Sequence, residues 1–313
     1  MLHLRVLCPA ERSEQVRRLL FDEPGATHLT VLPGVAVQPP GDVVEAALTR
    51  ECADRVLDGL TDLGVQHSGG ITLEPLDTVL SEAADAAEAA VPGDPADAVI
   101  WDELIGRTGE DSRLTVSFLA FLTIACLLAG IGAITNSSVT VVGAMVLGPE
   151  FGPLAALAVG LVVRRGELVK RAALALLVGF PVAMMVTALV WPLFHLGGLL
   201  DGRQLDNLPQ VDFIYTVGPF SLIVALLAGA AGMLSLTSAK SSALVGVFIS
   251  VTTVPAAAFA VVAAVEGRWD RALSSVIQLL VNLVGIVLAA VLVLWLSRVG
   301  GNHGKVGPGH SGG

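Results

Sequence analysis

Two regimes of hydrophobic patterning divide this chain of 313 residues. Up to about residue 76 the apolar positions come in short runs with two periods. Residues 2–8 alternate as a strand does, and 12–21 set Val16, Leu19 and Leu20 on one face of a helix. A second strand over 27–32 is expected to stop at Pro33-Gly34. A third, over 42–49, is weakened by Glu45, Ala46 and Ala47. A helix over 50–63 turns Val56, Leu57 and Leu60 inward before Gly64, and 71–76 is the last strand. The order βαββαβ predicts a small α+β domain of the ferredoxin-like, split βαβ kind.

Beyond residue 112 the runs lengthen to the 20 or so apolar residues that cross a bilayer. Six spans are predicted, at 114–134, 139–163, 171–194, 216–236, 242–265 and 272–296. The second and fifth are interrupted, by Gly148-Pro149-Glu150-Phe151-Gly152-Pro153 and by Ser250-Val251-Thr252-Thr253-Val254-Pro255. A proline in mid-helix removes a donor and clashes with the preceding turn, so both spans are expected to break there. The two breaks belong to an internal repeat. Leu127-Leu128-Ala129-Gly130 recurs as Leu226-Leu227-Ala228-Gly229, Ser137-Ser138 as Ser241-Ser242, and Gly143 as Gly246. Pro153 matches Pro255, Gly166 matches Gly267, and Arg171-Ala172 matches Arg271-Ala272. Three spans per copy is an odd number, so the copies, about 113–195 and 213–298, are expected to lie inverted in the membrane. Inverted repeats with paired broken helices mark transport sites near the midplane.

Composition and charge sharpen this division. With 54% apolar residues and a mean hydropathy of +0.76 the chain is too hydrophobic for an ordinary soluble protein. Residues 1–112 hold 21 Asp and Glu against 7 Lys and Arg, whereas residues 113–313 hold 7 against 11. The expected organisation is a cytoplasmic α/β domain (1–76), an acidic linker with a juxtamembrane helix (77–112), the membrane domain (113–298) and a disordered tail (299–313). Nucleic acid is not an expected partner, because the soluble part has the wrong sign for phosphate. With the N-terminus inside, nine basic residues face the cytoplasm: Arg107, Arg113, Arg164, Arg165, Lys170, Arg171, Lys240, Arg298 and Lys305. Arg203, Arg268 and Arg271 lie outside. That asymmetry predicts an inner-membrane protein with both termini cytoplasmic, and the charged first 20 residues do not read as a signal peptide.

The first break carries the candidate chemistry. Glu150 falls about halfway along its span, where an ionised carboxylate costs several kcal/mol unless paired or hydrated. Intramembrane acids are therefore candidate functional groups. Gly148, Pro149, Gly152 and Pro153 would free backbone groups around it for a substrate or ion. Alternatively, Glu150 only caps the second half-helix, accepting from N–H groups near Gly152. At the equivalent break Thr252 and Thr253 offer hydroxyls beside Pro255. Gln278 and Asn282, four residues apart, share a face of the last span, where a hydrogen bond to a neighbouring helix is the simpler role. Cys8, Cys52 and Cys126 are scattered, and no metal-ligand cluster, cofactor motif, Walker sequence, nucleophile elbow or HExxH helix occurs. No metal, cofactor or enzymatic activity is expected.

Asn136-Ser137-Ser138, Val142-Gly143-Ala144-Met145-Val146, Pro149 and Gly152-Pro153 together resemble the signature of a prokaryotic membrane family catalogued as domain of unknown function 389. The resemblance covers roughly residues 110–296, and an N-terminal α/β domain is common among its members. It implies a multi-pass membrane protein and imports no activity. The expected function is a secondary transporter or channel for a small solute or ion, with a cytoplasmic regulatory domain. The alternative is a membrane-anchored sensor or scaffold whose soluble domain binds an effector. The bilayer is the obligatory partner, and small-residue stripes such as Gly130 and Gly132 suggest a homo-oligomer.

Overall fold

The computed structural model describes residues 1–76, 78–91, 98–197, 218–238 and 252–303. The described chain divides into two compact units that meet in sequence after Glu103.

The N-terminal unit is a four-stranded antiparallel sheet with two helices packed on it. Its strands are β1 (Leu2–Cys8), β2 (Ala26–Val37), β3 (Pro40–Leu48) and β4 (Gly70–Pro75), in the order β2-β3-β1-β4. Helices α1 (Ala10–Phe21) and α2 (Arg50–Asp62) provide the crossovers, which is the split βαβ arrangement. Alternation along β1 sends Leu2, Leu4, Val6 and Cys8 into a core completed by Val16, Leu20, Val44, Val56 and Leu60. On the other face Arg5 stands opposite Glu45, with an ion pair at 3.4 Å. The weakly patterned third strand is interior to the sheet, where helix packing suits the small side chains of Ala46 and Ala47.

Two sequence expectations need correction here. Strand β2 does not stop at Pro33-Gly34 but runs on to Val37, with a register shift between Leu32 and Ala36. Gly34 takes a φ of 63°, and its N–H donates to Asp42 Oδ1 at 2.8 Å, so the Pro-Gly pair forms an irregularity inside the strand. A short turn of helix, α3 (Val65–Ser68), also intervenes before β4. Gly69, which follows it, is packed so closely that a Cβ there would collide with the Leu7 carbonyl. The linker holds α4 (Glu82–Ala90), capped by Ser81, and α5 (Trp101–Asp111).

The second unit is helical: α6 (Val116–Ile134), α7 (Ser138–Leu147), α8 (Phe151–Val162), α9 (Gly166–Leu196), α10 (Pro219–Thr237), α11 (Thr253–Val265) and α12 (Trp269–His303). Among the described residues, four helices are long and apolar enough to cross a membrane: α6, α9, α10 and α12. The count is five if α7 and α8, which meet at a 50° bend, form one broken span or re-entrant loop. Of the predicted fifth span only residues 252–265 lie among the described residues, while Ser250, Val251 and Lys240 lie outside them. Large apolar side chains at Leu280, Val284, Leu288 and Leu292, spaced by four along α12, are exposed. Such a ridge suits lipid, since soluble surfaces rarely hold a continuous apolar strip.

Helix α11 is buried on every side from Thr253 to Ala263, as expected of a helix that is apolar all round. Glycines bring its neighbours close. A Cβ on Gly130 would lie 2.9 Å from the Trp191 ring, and one on Gly132 would lie 2.9 Å from Val141 N. These positions are used inside the fold, so they offer no stripe for a second copy.

The helix ends repeat. Helices α8 and α11 both finish with a left-handed residue, Arg164 (φ 57°) and Gly267 (φ 75°). The next N–H then reaches back, Arg165 to the Gly160 carbonyl and Arg268 to the Ala263 carbonyl. An L-residue in that conformation costs roughly 1–2 kcal/mol. Arg164→Gly is therefore expected to stabilise the detergent-solubilised protein by about 1 kcal/mol, seen as a higher thermal midpoint.

Candidate functional site

The first break follows from Pro149. A residue before proline is driven out of the helical region, and Gly148 accordingly takes φ −67° and ψ 124°, ending α7 at Leu147. Glu150 is the N-cap residue of α8, and the first backbone bond of that helix runs from Leu154 N–H to the Glu150 carbonyl. Thr252 has the same position on α11, accepting from Ala256 N–H. Pro153 and Pro255 each stand third in their half-helix. They do not themselves break the helix, contrary to the sequence expectation, because a first-turn N–H has no helical partner to lose. Gly152 is required by close packing, since a Cβ there would lie 2.7 Å from Asp111 Cβ at the end of α5.

The Glu150 side chain is only 6% exposed. Thr253 Oγ1 donates to its Oε1 at 2.5 Å. Oε2 is buried without a hydrogen-bond partner among the described residues. The carboxyl group folds back over Gly148, so that a Cβ on that glycine would collide with Oε2. No side-chain capping bond is made to α8, so the purely capping role considered for Glu150 does not hold. Among the described residues no basic side chain pairs with it.

A second run of polar side chains adjoins the first through consecutive residues of α11. Asn282 Nδ2 donates to Thr252 Oγ1 at 2.8 Å, and Gln278 Nε2 donates to Asn282 Oδ1 at 3.0 Å. Gln278 and Asn282 thus both pair within α12 and bridge to α11, as their spacing suggested. Gln278 Oε1 and Ser275 Oγ are buried without partners among the described residues. Ser275, Gln278 and Asn282 share one face of α12 by their three- and four-residue spacing. The structure brings Glu150 together with Thr253 and Gly148, and Thr252 with Asn282 and Gln278, while Pro149, Gly152, Pro153 and Pro255 shape the two half-helix starts. Ser275 was not singled out from the sequence.

Buried polar atoms are nearly always satisfied, and an orphan costs about 1–3 kcal/mol, more if charged. Glu150 Oε2 is such an orphan at the start of α8, and Gln278 Oε1 and Ser275 Oγ are two more along α12. The electrostatics select by sign as well. A second negative charge about 4 Å from the carboxylate would be repelled by about 4 kcal/mol at an effective dielectric constant near 20.

This geometry lies inside a recognisable stretch of sequence. Residues 145–288 match the family model described as domain of unknown function DUF389. The match takes in the break at Gly148 to Pro153, the start of α11, and both Gln278 and Asn282. It bears out the resemblance drawn from the Asn136-to-Pro153 motif. Asn136 takes a left-handed φ of 51° and Ser137 caps α7 by accepting from Thr140 N–H, so that part of the motif is a turn-and-cap device. An uncharacterized protein of Methanocaldococcus jannaschii is 27% identical over 195 residues, which cover 62% of this chain. The chain spans 58% of that relative's length. No solved structure matches.

Proposed function

We propose that the protein is a secondary transporter or channel for a small solute or ion, with its site where the α7–α8 break meets the start of α11. The observation that carries this reading is the buried Glu150 carboxylate, held by one hydroxyl and otherwise unpaired among the described residues. Uncompensated acids inside a membrane bundle are costly and mark ion or substrate pathways. The repeat supports it. Helices α10, α11 and α12 begin 103, 102 and 103 residues after α6, α8 and α9. Glu150 and Thr253, at equivalent half-helix starts, are the pair that touches. Two three-helix copies of this kind fit an inverted pair with a midplane site. The positive-inside asymmetry orients both termini to the cytoplasm of an inner membrane, where residues 1–76 act as a regulatory domain.

A second reading, an effector sensor, draws on the start of α2. There Thr49 Oγ1, Arg50 Nε and Glu51 Oε2 are buried without partners among the described residues. The two are separated by a screen of solute and ion flux in proteoliposomes, comparing wild type with Thr253→Val. The substitution keeps the volume and removes the hydroxyl that holds Glu150. Transport predicts a flux at least tenfold lower in the variant. Equal flux in both, or none under any gradient, rejects the site and favours the soluble domain.

A further inference from the structure

We infer that the occupant of the Glu150 site is a single alkali-type monovalent cation, bound by the carboxylate together with neighbouring acceptor oxygens. The inference deepens the transport reading and rests on it for the identity of the site.

Charge decides the sign and the valence. Glu150 is the one acidic residue within α6 to α8 and α10 to α11, and no basic partner compensates it among the described residues. An anion would add to that charge in an apolar interior. A divalent cation would leave a net positive charge there, which burial penalises. One monovalent cation makes the site neutral.

The unpartnered oxygen decides the chemistry. Oε2 of Glu150 is buried and unbonded among the described residues, and it lies against Gly148, where α7 ends. Oxygen ligands alone, with no sulfur or imidazole among them, suit a hard cation. Half-helix ends beside unwound backbone are where transporters hold such ions, and α7 ends at this break with its last carbonyls free of helical donors. Among the described residues, other titratable groups near the site are few. The Cys126 thiol on α6 lies within electrostatic range of Glu150, and Asp111 lies against Gly152 on the far side of the α8 start.

The test is equilibrium binding of radioactive Na⁺ to the full chain in nanodiscs, with choline chloride holding the ionic strength. Saturable binding close to one ion per chain is expected. It should be lost in Glu150→Gln. Ser297→Ala, whose hydroxyl bonds the Val293 carbonyl near the end of α12, should bind as wild type does. A thermal scan of each variant separates lost binding from lost fold. Absence of alkali-ion binding up to 200 mM overturns the inference (about 200,000-fold above a micromolar site). So does competition by Mg²⁺ at equal concentration, or Glu150-dependent binding of labelled phosphate or chloride. Binding needs no transport, so absent Na⁺ binding with intact solute flux removes this inference alone. Na⁺ binding without any flux removes the transport reading and keeps the site.

Discussion

Gly229→Ala is expected to destabilise the membrane domain by about 3 kcal/mol, the upper end of what one inserted methyl group costs in a packed interior. Gly229 on α10 faces α12, and a Cβ there would collide with the Ile286 carbonyl and lie 2.7 Å from Ile286 Cα. Both are backbone atoms, so no rotamer change relieves the clash and the helices must move apart. The same crossing is tight at Gly285, where a Cβ would lie 2.9 Å from Ala225 Cβ. Close approach through small residues is how apolar helices gain attraction in lipid, which supplies no hydrophobic drive. Gly143→Ala is the matched control. Nothing lies within 4 Å of its Cβ position, so the change is expected to add about 0.5–1 kcal/mol through helix propensity. Thermal denaturation in detergent should therefore move the two midpoints in opposite directions. Equal shifts would mean that α10 and α12 do not pack as described.

Glu150→Gln is expected to leave the fold intact, or slightly more stable, while removing activity. Glutamine keeps the shape and an oxygen for the Thr253 hydroxyl. It removes a charge that has no basic partner among the described residues. Replacing an uncompensated buried charge with a neutral isostere is neutral to favourable, on the order of 1–3 kcal/mol. Thr253→Val acts in the opposite sense, stripping the carboxylate of its donor at a cost of about 1–3 kcal/mol. A residue retained against stability is expected where function demands it. A Glu150→Gln midpoint several degrees below wild type would instead make the carboxylate a structural element.

Much of this architecture was legible in the chain. The strands of the N-terminal sheet follow from alternation, and its order follows from the βαββαβ sequence. Helices α6, α9, α10 and α12 follow from run length alone. Proline in the repeat pointed to the right places for the wrong reason. Pro149 forces Gly148 out of the helix, whereas Pro153 and Pro255 occupy first turns that tolerate them. Strand β2 outran its expected end because Gly34 and Asp42 absorb the irregularity locally, a pairing visible only once β2 and β3 are in register. At the site, residue types and the 102-residue offset brought Glu150 and the two threonines into consideration together. No periodicity in one chain shows that Thr253 bonds Glu150 while Thr252 bonds Asn282, because that division depends on how α11 is rotated between α8 and α12. Ser275 was overlooked for a related reason. Its spacing from Gln278 and Asn282 was readable, but its burial was not.

The most direct test of the central claim is ion and solute flux in proteoliposomes, measured for wild type and Glu150→Gln at matched incorporation and matched thermal stability. The site described here predicts flux in the wild type and background leakage in the variant. Undiminished flux through Glu150→Gln would contradict it, and would move the pathway away from the α7–α8 break.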